Sequence, residues 1–81
     1  MAAPWFDFLR IESELAMTFI DSARVQRSPL NSAVSLGNAR QALEEIRRGL
    51  AKPYRQRYFT EDEVFLLEQR CAQIEAALER F

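Results

Sequence analysis

The apolar residues in the last third of the chain recur at alternating spacings of three and four: Val64, Leu67, Cys71, Ile74, Leu78 and Phe81. That spacing keeps them on one side of a helix and predicts a heptad-like seam to residue 81. Just upstream, Thr60-Glu61-Asp62-Glu63 has the form of a capping box. The Thr60 hydroxyl can accept from the Glu63 amide while the Glu63 carboxylate reaches back to the Thr60 amide. Phe59 and Val64 take the two staple positions around the box, and the three acids suit the positive end of a helix dipole. A helix over about 60–80 is expected.

The middle of the chain carries a second such pattern. Ser28-Pro29 reads as an N-cap followed by proline at the first helical position. Leu36, Ala39, Leu43, Ile46 and Leu50 form the apolar seam, and Asn38, Gln41, Glu44, Glu45, Arg47 and Arg48 the polar face. Glu44 and Arg48 stand at the favourable i,i+4 spacing. Pro53 bars continuation, which predicts a helix over about 29–50. Gly37 inside it either weakens the first turns by about 1 kcal/mol or admits another backbone.

The first helix is expected over about 5–25. Its main seam is Trp5, Phe8, Leu15, Phe19 and Ala23, with Ile11 and Ala16 beside it. The connection Gln26-Arg27-Ser28 is short, so the first two helices should form an antiparallel hairpin. Three helices of about twenty residues are each roughly 30 Å long. Matched lengths predict a single all-α domain over 1–81, a three-helix antiparallel bundle in which every helix touches the other two.

The hairpin segments Glu14-Leu15-Ala16-Met17-Thr18-Phe19 and Asn38-Ala39-Arg40-Gln41-Ala42-Leu43 place small residues where helices cross. In this they resemble tetratricopeptide-type or MIT-type helical hairpins. The resemblance covers about half the chain and implies a binding platform for a peptide or helix. It carries over no functional residues, and a generic three-helix bundle predicts the same pattern.

Two features of the first helix do not fit a minimal bundle. A second apolar stripe, Phe6, Leu9, Met17 and Ile20, interrupted by Ser13, runs beside the main seam. Together the two cover more of the circumference than two neighbouring helices can bury. The second stripe is therefore expected to be the exposed surface through which a partner binds, most simply a second copy in a two-fold dimer. The other feature is Glu12, which falls in the middle of the main seam. A carboxylate there should be paired, solvated or protonated. A guanidinium of another helix, Arg40 in preference to Arg70, is its expected structural partner.

Composition narrows the function classes. The 81 residues carry 11 basic and 12 acidic side chains, a formal charge of −1, which argues against a general nucleic-acid binder. The segment 47–59 is the exception, with Arg47, Arg48, Lys52, Arg55 and Arg57 interleaved with Tyr54, Tyr58 and Phe59. It gives the alternative reading, nucleic-acid or anionic-surface binding. Against it stands the plainer one, a basic helix end covered by aromatics.

The chain has no histidine and one cysteine, Cys71, which sits in an apolar seam where a thiol is an inert packing group. Without a histidine, a carboxylate pair at fixed spacing or a phosphate-binding glycine loop, no catalytic, cofactor-binding or metal-binding residues are expected. No stretch approaches the roughly 20 apolar residues of a membrane span, and the N-terminus lacks the pattern of a signal peptide. A small cytoplasmic module acting by protein–protein contact, as a homodimer or adaptor, is the expected class.

Overall fold

The computed structural model describes residues 4–51 and 57–81. The fold is all-α, a three-helix bundle of α1 (Pro4–Val25), α2 (Pro29–Gly49) and α3 (Glu61–Glu79), with contacts between every pair of helices. α2 and α3 begin where the local chemistry directs. The Ser28 hydroxyl accepts the Asn31 amide at 3.4 Å, and Pro29 fills the position whose amide would have no helical partner. At α3 both arms of the capping box form. The Glu63 amide donates to the Thr60 hydroxyl at 3.2 Å and the Thr60 amide donates to the Glu63 carboxylate at 2.9 Å. Thr60→Ala removes the first of these bonds. It should cost about 1 kcal/mol and lower the thermal midpoint by roughly 4–8 °C. An unchanged midpoint in that variant would show that the box adds nothing to the fold.

The α1–α2 hairpin is antiparallel and tied at both ends. Next to the turn, the Ser32 hydroxyl donates to the Ala23 carbonyl at 3.1 Å, satisfying one of the acceptors that the end of α1 leaves open. At the far end, Leu9 of α1 lies against Gly49 of α2 so closely that an added β-carbon would stand 2.6 Å from the leucine Cδ1. Gly49 therefore allows this approach, whereas Gly37 has open space around it and only weakens α2. Arg47 near the end of α2 forms an ion pair with Glu75, in the second half of α3. Both side chains are about half exposed, so the pair orients the helices more than it stabilises them.

The core comprises Leu9, Ala16 and Ile20 from α1, Ala39, Ala42, Leu43 and Ile46 from α2 with Leu50 just beyond it, and Val64, Leu67, Cys71, Ile74 and Ala77 from α3. The expected faces of α2 and α3 are the buried ones, with one drift: Ala77 takes the last buried position of α3, while Leu78 is partly covered and Phe81 is exposed. A strict seven-residue repeat drifts around a straight helix, and the drift shows by the last turn of α3.

α1 turns inward a different face from the one its spacing predicts. Leu9 and Ile20, expected at an exposed partner-binding stripe with Phe6 and Met17, are 1% and 0% exposed; Phe6 and Met17 are partly buried against the same core. Trp5, Phe8 and Leu15, expected in the inward seam by their spacing, and Ile11, expected beside it, are instead 41–52% exposed. Only Ala16 and Ala23 of the expected inner face are buried, and Phe19 is partly so.

The physical reason lies in the polar residue at the middle of each stripe. Burying the larger stripe would bury Glu12, a charge with no cation in reach, at a cost of several kcal/mol. Burying the smaller one buries Ser13, whose hydroxyl donates to the Arg10 carbonyl of its own helix at 2.6 Å and so leaves no donor stranded. Ser13, Ala16 and Ala23 are also small enough for α1 to lie close to its neighbours.

Candidate functional site

Turning the larger stripe outward leaves a row of apolar side chains along α1. Trp5, Phe8, Ile11 and Leu15 follow at spacings of three, three and four, so they share one face over about 15 Å at 1.5 Å per residue. Each is large, and each is too exposed to be a core residue. Glu12 lies within this row and is half-covered.

At the N-terminal end of the row the surface becomes concave. A cavity of about 400 Å³ lies between the first turns of α1, the last turns of α2 and the residues leading into α3. Trp5, Phe8, Tyr58 and Phe59 wall it, Leu9 and Gly49 lie where the two helices meet, and Glu45 and Arg48 are its charged groups among the described residues. The rings are not stacked. Trp5 and Phe8 meet edge to face, centroids 6.1 Å apart at 89°, and Trp5 and Tyr58 are tilted at 53° with centroids 6.5 Å apart.

Glu12 does not meet the expected guanidinium. Arg40 is exposed on the far side of α2, Arg70 is partly buried on α3, and neither forms an ion pair with it. Its neighbour is Glu45 of α2. Partial burial, followed by the hydrogen bond and charge of Glu45, raises the Glu12 carboxyl above its ordinary pKa. A reading confined to fixed spacings within one helix could not find this pair. The hairpin register, which puts residue 9 opposite 49, brings 12 beside 45.

The sign of the pH effect follows. Below the ordinary carboxylate range Glu12 is protonated in both the folded and unfolded chain and carries no penalty. As pH rises, the unfolded chain loses the proton first, so stability falls through the window up to the raised value and the full penalty persists above it. Glu12→Gln should therefore match the wild type at low pH and melt higher at neutral pH. A difference in midpoint that does not vary with pH would show that the Glu12 carboxyl is not raised by folding.

The basic segment is only partly free. Arg47 is engaged with Glu75, and Arg48 pairs with Glu44 at 3.5 Å. Arg57 is exposed, and Lys52 and Arg55 lie outside the described residues. Cys71 is buried; burial pushes its thiol up, and the opposing pull of the Arg47 charge is the smaller effect, with Glu68 adding to the rise. Raised in this way, the thiol is a poor nucleophile.

Among the described residues no three His, Cys, Asp or Glu side chains are grouped to hold a metal ion, and no helix is long and apolar enough to cross a membrane. Compared with known proteins, the chain matches no family model, no curated protein and no solved structure.

Proposed function

We propose that this chain is a small cytoplasmic helical module that acts by protein–protein contact through the outward face of α1, without catalysis of its own. The observation that carries the reading is the row Trp5, Phe8, Ile11 and Leu15, four large apolar side chains exposed on one continuous face. Contiguous apolar surface of this kind marks interaction sites, and tryptophan and phenylalanine are the residue types that anchor them. The resemblance of the α1–α2 hairpin to tetratricopeptide-type or MIT-type hairpins points the same way. A single cysteine, free and buried, suits a reducing compartment.

The simplest partner is a second copy. Two α1 rows packed about a two-fold axis would cover each other, and cyclic dimers are the commonest assemblies. Sedimentation of the wild type beside an Ile11→Glu/Leu15→Glu variant tests this. The wild type should sediment as a dimer, and the variant as a monomer with unchanged helical content. A wild type that remains monomeric at its highest soluble concentration excludes the homodimer. If in-cell crosslinking through this face then also recovers no protein that the double variant loses, the interaction reading fails.

A further inference from the structure

We propose that the aromatic cavity between α1 and α2 is a binding site for a small organic cation of the alkylated-ammonium class. This goes beyond the interaction reading and does not rest on it.

The size is right: about 400 Å³ falls within the range of small-molecule sites. The walls are right as well. Trp5, Phe8 and Tyr58 border the space from different directions, with ring planes 89° apart for Trp5 and Phe8 and 53° apart for Trp5 and Tyr58. Ring faces attract a cation held within about 6 Å of their centroids, tryptophan most strongly.

Charge decides the sign of the ligand. Glu45 borders the cavity and lies beside Glu12, and neither has an ion-pair partner among the described residues. Arg48, the one basic group of the cavity among the described residues, is paired with Glu44 and its side chain is 78% exposed, turned largely to solvent. Among the described residues the space is thus bordered by one carboxylate without an ion-pair partner, Glu45, with Glu12 beside that residue, and by the rings of Trp5, Phe8, Tyr58 and Phe59. A cation entering it would relieve the repulsion between Glu12 and Glu45 while resting on the rings. An alkali ion would have to give up a strongly held water shell for the same contacts, whereas an alkylated ammonium is weakly hydrated and apolar on its outside.

Trp5 is the only tryptophan in the chain and lines the cavity, so its emission reports occupancy directly. The test titrates the full chain with choline chloride against sodium chloride at constant ionic strength, below the concentration at which any self-association is seen. A saturable change in Trp5 emission is expected. The uncharged isostere 3,3-dimethylbutanol should bind roughly tenfold more weakly or worse, a difference of about 1.4 kcal/mol. Glu45→Gln and, separately, Phe8→Leu should each weaken choline by about the same factor, and both variants keep the reporter. Glu45→Gln also removes the carboxyl repulsion, so loss of binding in that variant cannot be assigned to unfolding.

A linear, unsaturable response means collisional quenching alone and overturns the proposal. An equal response to sodium or to the neutral isostere overturns it too, since the cavity would then be an apolar niche without charge preference. Undiminished choline binding in Glu45→Gln would remove the carboxylate from the site and with it the reason for a cation.

Discussion

A glutamate in place of Ile20 should unfold the domain. Ile20 is completely buried in the core formed by all three helices. The substitution deletes a packed side chain and puts an unpaired carboxylate in its place, and an uncompensated buried charge costs about 3–5 kcal/mol before the lost packing is added. At roughly 0.05–0.15 kcal/mol per residue, a domain of this length has about 4–12 kcal/mol of total stability. The penalty is thus a large part of the whole, or all of it. Circular dichroism with urea denaturation would show the loss of the cooperative transition. Ile11→Glu on the outward face of the same helix, where the side chain is 47% exposed, should leave that transition nearly in place. A normal transition in Ile20→Glu would mean that α1 buries its other face.

Leu67→Ala should have the next largest effect. Leu67 is the largest completely buried side chain of α3 beside Ile74, and α3 is held to the bundle by the seam Val64, Leu67, Cys71, Ile74 and Ala77. Truncating a buried leucine costs about 2–5 kcal/mol, because the cavity left behind adds to the lost transfer energy. In a domain of this size that lowers the thermal midpoint by roughly 8–40 °C. Leu67→Met keeps the volume and should cost less than about 1.5 kcal/mol. Calorimetry on the two variants separates packing from composition. If Leu67→Ala costs no more than Thr60→Ala, α3 is docked loosely and the seam is not what holds it.

Ile20 and Leu67 differ in how far each position was legible in the sequence. Leu67 lies on a helix with one apolar stripe, so the period of the pattern already names the buried side. The same holds for Leu43 and Ile46 of α2, both buried where the spacing placed them. Ile20 lies on a helix with two stripes, and counting apolar bulk favours the wrong one, because Trp5, Phe8, Leu15 and Phe19 outweigh Phe6, Leu9, Met17 and Ile20. A signal was present nonetheless in the adjacent pair Glu12-Ser13, since the stripe interrupted by serine is far cheaper to bury than the stripe interrupted by glutamate.

The sequence by itself therefore determined what depends on groups within about four residues of one another. The caps at Ser28 and Thr60, the helix limits and the inward faces of α2 and α3 belong here, because backbone hydrogen bonds, proline sterics and single-stripe periodicity are local. Tertiary structure alone decided which face of α1 turns inward, that Glu12 meets Glu45 and not Arg40, and that Trp5, Phe8 and Tyr58 enclose a cavity. Each of these is a choice between two burials on one helix, or a meeting of residues more than thirty positions apart in the chain. Its free energy is set by the surface that arrives opposite: here, a Gly49 that lets Leu9 come close and a core already lined with small side chains from Ala39 and Ala42.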